Sequence, residues 1–574
     1  VRKWGLSSFI GSRVVAVYAR SAIVLTVALL TLPLSFGLLG TLLPALGYLP
    51  ALGGHDIGLE HFGRLLAMPG IWASVWLSLA SGLSTTAISV AVTALFLAAF
   101  AGTSVLRRLQ HWLSPLLAIP HAAAAFGLAL LIAPSGYLIR LAAPFAGLDR
   151  PPDLLIPHDP FGITMTAALV LKEIPFLFLV SLAALPQVEL VASRRLAASL
   201  GYGPVAGFLY LLWPGIYRQI RFAVYAVLAY SSSVVDVALI LGPNLPGTLA
   251  TRLLQWMNDP DLSTRFLASA GAILQLGVTA TALVLWYFAE RVCGRALTAL
   301  RDRGHRFPGD RSVKIAAASA VIVAIATVFS GLALLLVWSF AGLWTFPDLL
   351  PKGLTLRTWQ AALSQLAMPL ITTLSAGVIS TLIAVFLTIG CLERETETGK
   401  RGGQSALLLL YLPLITPQIT FVFGLQILFI GSGSLDRFAA LVLVHLVFVL
   451  PYVFLSLSDA WRQFDIRYDV LAAALGRSRL SALLAVRLPM LTRAIFTAFA
   501  VGFAVSVGQY LPTVLIGEGR IQTITTEAVA LASGGNRRVI GVYGLLQTLL
   551  PFIVFAVASI VPALLYRNRR AMQV

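Results

Sequence analysis

A short polar stretch occurs twice in this chain, each time between two long apolar segments. The first copy runs Arg195-Leu196-Ala197-Ala198-Ser199-Leu200-Gly201 and reaches Leu212-Trp213-Pro214. The second runs Val470-Leu471-Ala472-Ala473-Ala474-Leu475-Gly476 and reaches Arg487-Leu488-Pro489. Gly to Pro takes 13 positions in both, and the copies lie 275 residues apart (201 to 476, 214 to 489). The same offset continues through Gly242/Gly517, Thr248/Thr523 and Thr251/Thr526. Upstream, Leu66-Ala67-Met68-Pro69 matches Leu366-Ala367-Met368-Pro369, and Pro120 with Phe126-Gly127-Leu128 matches Pro417 with Phe423-Gly424-Leu425. A chain so built must fold as two copies of one unit.

The unit belongs in a bilayer. Hydrophobic residues make up 58% of the chain and charged residues 11%, against roughly 45–50% and 25% in soluble domains. Apolar runs of about 20 residues recur, long enough to cross a hydrocarbon core. The first, Ser21 to Leu46, is too long for a signal-peptide core and reads as a retained helix. Most of the 41 Lys and Arg cluster in segments that alternate with these runs, including both hinges and 291–314. The +18 formal charge is therefore an orientation signal, placing hinges and both termini in the cytoplasm of an inner-membrane protein; nucleic acid is not expected as a partner. Cys293 and Cys391 fit neither a disulfide framework nor a metal site.

The expected fold is an all-α membrane protein of about twelve transmembrane helices, arranged as two parallel six-helix repeats. Residues 1–290 form the first repeat, 291–314 a basic cytoplasmic linker and 315–574 the second. An even span count keeps both repeats in the same orientation, which disfavours inverted-repeat architectures. The proline-bearing loops near 134–161 and 341–368 offer modest docking surface on the opposite side.

Each hinge follows a fourth span. Its Ala-rich part favours helix, Gly201 or Gly476 lets the chain turn with positive φ, and Pro214 or Pro489 sits where a first helical turn tolerates proline. The result is a short helix lying parallel to the membrane. This pattern resembles the EAA loop of ATP-binding-cassette importer permeases: Glu-Ala-Ala, three variable residues, Gly, then an apolar-Pro about a dozen residues on. The chain is similar throughout to the fused permeases of the type I branch, whose members handle ferric iron, thiamine and polyamines. Thr523-Ile524-Thr525-Thr526-Glu527-Ala528-Val529-Ala530-Leu531 resembles that branch too.

The resemblance implies that each loop docks on a cytoplasmic ATPase dimer, with a periplasmic solute-binding protein as the second partner. It assigns the coupling contacts to Ala197, Ala198, Gly201 and Pro214 in one copy, and to Ala472, Ala473, Gly476 and Pro489 in the other. The expected Glu is replaced by Arg195 in the first copy and Val470 in the second, where Asp469 lies one position earlier. A Walker A loop requires Gly-x-x-x-x-Gly-Lys-Ser/Thr. Gly399-Lys400 is followed by Arg401 and lacks the upstream Gly. No cofactor is expected on this chain, and ATP belongs to the partner.

Ionisable residues inside spans are functional candidates. Asp236, after Ser231-Ser232-Ser233 in the fifth span, is expected to face a central cavity. The 275 offset sets Gln509 and Tyr510 opposite Val234 and Val235, and these complete the expected pathway. Lys172 and Glu173 in the fourth span, and His121 and His445 elsewhere, read as groups satisfied by neighbouring helices, and no metal site is expected. The chain shows no constellation for catalysis, so it reads as a transport subunit and not an enzyme. The alternative is an ion-coupled, twelve-span secondary transporter of the major-facilitator type, which leaves both hinge loops unexplained.

Overall fold

A computed structural model describes residues 2–567 except Pro308, 433–435 and Ser533. Hydrocarbon offers backbone groups no partners, so a spanning chain must satisfy them within helices. Among the described residues the chain is helical throughout, with two isolated bridges, Leu49–Gly54 and Ala341–Leu354. Among the described residues nine helices are long and apolar enough to cross a membrane, and counting each of two bent helix pairs as one span brings the number to 11. A further helix, Trp213–Ser233, takes the place of the fifth expected span; Arg218, Gln219 and Arg221 in its early turns lower its apolarity.

Several expected spans are broken. Gln404–Ile415 and Gln418–Ile430 meet at 80°, because Pro417 cannot donate to the preceding turn. Pro120, its counterpart, separates a short 3₁₀ turn at Ser114–Ala118 from the helix His121–Ile132. The fifth and eleventh expected spans break at matching points: Trp213–Ser233 is followed by Asp236–Leu241, and Thr492–Val507 by Leu511–Gly517. The segment 291–314 is mostly helical. Thr264–Asp302 runs well into it and Arg311–Phe340 leaves it, so only 303–310 connects the halves.

The halves are interleaved. Arg2–Ala45 packs along Gln418–Ser432 and Arg357–Thr398, and Arg311–Phe340 packs along His121–Ile132 and Ile71–Phe100. The first helix of each half thus lies on the other half. Both crossings are made by glycine. A Cβ on Gly127 would lie 2.9 Å from the backbone of Gly331. Gly424, which the Phe-Gly-Leu match pairs with Gly127, faces the backbone of Gly37 and Gly40 with still less room. Small residues permit such close backbone approach between membrane helices.

The duplication extends to single hydrogen bonds. Thr248 and Thr523 begin matching short helices, and each shares a hydroxyl contact with Thr251 or Thr526. The next amide, on Leu249 or Ile524, donates to a hydroxyl of the second span in its half: Ser78 at 3.1 Å and Thr373 at 2.9 Å.

Gly331→Leu is expected to destabilise the protein by about 1–3 kcal/mol through overpacking, read as a lowered thermal midpoint in detergent. Gly277→Leu, in a helix where a Cβ meets nothing within 4 Å, should leave the midpoint in place.

Candidate functional site

The two hinge stretches form the short helices Leu190–Ser199 and Arg467–Ala474. Each ends in the same turn. Gly201 has φ +77° and Gly476 φ +72°. Their amides donate to Ala198 and Ala473, and the following amides, on Tyr202 and Arg477, donate back to Ala197 and Ala472 at 3.0 Å. This double closure is a Schellman cap, which glycine enters without steric penalty.

Ala197 and Ala472 are buried, whereas Ala198 and Ala473 are exposed. Ala197 turns inward against Gly207 of the next short helix. Arg195 is exposed, as are Pro214, Gly201 and Gly476; Pro489 and Asp469 are half-buried. The outward surface is instead apolar. Val191, Leu196 and Leu200 on the first helix match Ile466, Leu471 and Leu475 on the second by the 275 offset, and all six are at least half exposed.

The helices are tethered by different chemistry. Behind the first, Val205, Phe208, Leu212 and Trp213 join one apolar cluster with Phe96, Leu97 and Phe178. The linker adds two contacts: Asp310 accepts the Val205 amide at 3.0 Å, and the Arg306 carbonyl accepts that of Gly203. Behind the second, Arg487 occupies the position equivalent to Leu212 and is buried. It pairs with Glu393 at 2.5 Å and with Asp469. Arg479 also reaches Glu393 at 3.0 Å and Glu397 at 3.1 Å. Ahead of this helix the Arg467 guanidinium, hydrogen-bonded to Asp465, holds that carboxyl below its ordinary range.

Beyond the two hinge helices, residues of both halves line a cavity of about 950 Å³. Asp236, Gln509 and Tyr510 line it together, at the breaks of the fifth and eleventh spans. His121, Lys172, Glu173 and Tyr230 complete the first-half wall, and Tyr411 and Tyr452 add to the second. Lys172 and Glu173 do not bond each other. The Lys172 amine donates to the carbonyls of Leu116 and Ile119, both at 2.6 Å. Glu173 lies 3.3 Å from His121, whose ring packs on Tyr230 at 4.7 Å between centroids. His445 is elsewhere, buried between Ser506 at 2.8 Å and Thr513 at 3.0 Å. Among the described residues no group of three or more His, Cys, Asp or Glu is arranged to hold a metal ion.

No family model matches the chain. The inner membrane ABC transporter permease protein YnjC of Escherichia coli (strain K12) is 31% identical over 505 residues, 88% of this chain and 91% of YnjC. The chain belongs to the ABC transporter permeases. The thiamine transport system permease protein ThiP of Salmonella typhimurium is 24% identical over 494 residues, covering 80% of the permease described here and 85% of ThiP. A putative 2-aminoethylphosphonate transport system permease protein, PhnV of Salmonella paratyphi A, is 25% identical over 232 residues. That match spans 39% of this permease but 86% of PhnV, so PhnV has about the length of one half. These relationships set the major-facilitator alternative aside.

Reading the sequence alone missed the charge cluster behind the second hinge helix. Its signal was present: Glu393, Glu395 and Glu397 alternate near the end of one span, and Arg462, Arg479 and Arg487 surround the hinge. The basic residues had a use as orientation markers, and their acidic complement was not paired with them. Tyr411 and Tyr452 carried no signal, since a tyrosine within a span is compatible with any packing.

Removing one partner of a buried ion pair strands the other, at about 3–5 kcal/mol. Glu393→Ala leaves Arg487 and Arg479 short of a carboxylate and should lower the permease's thermal midpoint accordingly, while Arg195→Ala, on an exposed side chain, should not.

Proposed function

We propose that this permease imports a small solute by alternating access, driven by a separate ATP-binding-cassette ATPase dimer seated on its two coupling helices. ATP is bound and hydrolysed by that dimer, and this chain carries no cofactor. The coupling helices face the cytoplasm, as do both ends of the chain, in a bacterial inner membrane. A periplasmic binding protein delivers solute to the opposite face. The solute belongs with thiamine, polyamines or ferric iron, the classes handled by the branch this chain resembles; relatives are named for thiamine and for 2-aminoethylphosphonate.

The observation that carries this reading is the matched apolar triad, Val191/Ile466, Leu196/Leu471 and Leu200/Leu475, exposed on two identically capped helices. Exposed apolar side chains repeated at corresponding positions mark an interaction surface, and two related surfaces suit a partner with two like subunits. The route inward is short. Each coupling helix leads through one further short helical segment, Pro204–Leu211 or Arg479–Met490, into a broken span, Trp213–Ser233 or Thr492–Val507, and the residues just past its far end supply Asp236 or Gln509 and Tyr510 to the cavity. A partner that binds the inward-open and outward-open states with different free energies will shift their populations.

Mild-detergent purification should recover an ATPase dimer with the permease; recovery of the chain alone, with uptake that follows an ion gradient and ignores ATP, would overturn the reading. Gly476→Glu places an L side chain at φ +72° in a turn with open space around it. Uptake should fall by at least about tenfold, given a strain of roughly 1–2 kcal/mol plus a charge on the docking face, while membrane abundance stays normal. Unchanged uptake at that abundance would count against the docking assignment.

A further inference from the structure

The helix that follows each hinge turn is capped differently in the two halves. In the second half Ser478 precedes Arg479–Ala482, and its hydroxyl accepts the Ser481 amide at 3.3 Å. The 275 offset pairs Ser478 with Gly203, which precedes Pro204–Leu211. Both have the extended backbone of an N-cap, with φ −67° and ψ 157° at Ser478 and φ −61° and ψ 154° at Gly203. Glycine has no side-chain oxygen to offer, and a helix start without one leaves amides to find other partners.

The acceptor comes from the linker. Asp310 is buried, and its carboxylate accepts the amide of Val205 at 3.0 Å. Val205 is the second residue of its helix, a position whose amide an N-cap side chain normally serves. A Cβ on Gly203 would lie 3.1 Å from both carboxylate oxygens of Asp310, so the acid stands where the missing side chain would be. Asp310 is itself the N-cap residue of Arg311–Phe340, yet its side chain makes no cap bond there. The carboxylate is committed to a helix of the other half.

Other linker residues hold the same turn. The Arg306 carbonyl accepts the Gly203 amide at 3.0 Å, and the Arg301 carbonyl accepts the Tyr202 hydroxyl at 3.4 Å. The Arg306 side chain lies over Gly201, 3.5 Å from where a Cβ would be. Pulling the turn off the linker would strand a buried carboxylate and two amides, a costly loss.

We infer that Asp310 is a positioning residue for energy coupling: it caps the helix after the first coupling helix from the other half, and so makes that coupling helix and Arg311–Phe340 move as one body. The inference rests on the permease reading and goes beyond it by giving the linker a part in transmission. Arg311–Phe340 packs along two helices of the first half, so a displacement delivered to the first coupling helix reaches them by this route as well as through Trp213–Ser233. The second coupling helix has its cap within its own segment.

The test is spin-label distance measurement on the full chain with its co-purified ATPase in nanodiscs, with and without MgATP and vanadate. Cys293, which is exposed, is replaced by Ala, and the remaining Cys391 is buried. Nitroxides go on exposed positions. Leu211→Cys with Leu484→Cys reports the approach of the two coupling segments and should shorten on trapping. Leu211→Cys with Val323→Cys, the latter on Arg311–Phe340, should keep its distance. Gly203→Ser with Asp310→Ala gives the helix a cap of its own, as in the second half, and severs the tie, because the new Cβ also meets the Phe307 carbonyl. This variant should match the parent in size-exclusion profile and in the shortening of the first pair, but its second pair should change on trapping. A second pair that changes in the parent, or stays fixed in the variant, overturns the inference and leaves the permease reading intact. If the double variant aggregates, Asp310→Ala alone decides by the same second pair. Absence of the ATPase, or a first pair unmoved in the parent, removes the alternating-access reading and this inference with it.

Discussion

The bilayer's refusal to hydrogen-bond the backbone governs this structure. An unsatisfied amide or carbonyl in hydrocarbon costs several kcal/mol, so a span can be interrupted only where protein or a cavity surrounds the break. Interruptions in this permease are few and paired. Pro120 and Pro417 break one pair of spans, and the turns at 234–235 and 508–510 break another. The second pair lies in the cavity wall. Breaks there expose polar side chains to the chamber and not to lipid, which is why Asp236, Gln509 and Tyr510 can exist at that depth.

A second constraint is close approach. Interleaving the halves requires each first helix to cross a helix of the other half at backbone distance, and only glycine permits it. Gly127 against Gly331, and Gly424 against Gly37 and Gly40, solve the same problem twice. Movement of one half therefore bears directly on a helix of the other.

Duplication was legible in the sequence because it leaves matched residues at a constant offset, and glycine and proline report backbone geometry without help from neighbours. The Schellman caps at Gly201 and Gly476 and the all-helical fold follow from residues read locally. The burial of Ala197 and Ala472, and the exposure of the apolar triads, depend on which face of a short helix meets the body of the protein, and an eight- to ten-residue helix has too few turns to declare it. The cavity was half legible. Asp236 stood out as an acid in a span, but Glu173 and His121 had equal claim to be satisfied between helices, and only the packing of His121 on Tyr230 brings them to the same chamber. The Glu393–Arg487–Asp469 cluster joins the second hinge to the end of a span 94 residues before Arg487. The alternating glutamates and the hinge arginines supplied its parts, but which acid meets which arginine depends on tertiary packing.

The two halves share a backbone plan but have divided their chemistry. Behind one hinge helix lies a hydrocarbon cluster around Leu212, and behind the other an ion cluster around Arg487, at equivalent positions. These differ physically. Apolar packing weakens gradually as surfaces slide, whereas a buried ion pair resists separation until it breaks, because its parts cannot be left unpaired. The second helix is thus held by ion pairs, and the first by apolar packing and the two linker contacts of Asp310 and Arg306. The cavity divides its charge likewise, with Lys172, Glu173, Asp236, His121 and Tyr230 on one wall and the neutral Tyr411, Tyr452, Gln509 and Tyr510 facing them. A solute lodged between those walls would touch side chains of both halves. Separating the halves would remove one set of contacts and leave the remaining set to water, so the motion that opens the chamber would also weaken its grip.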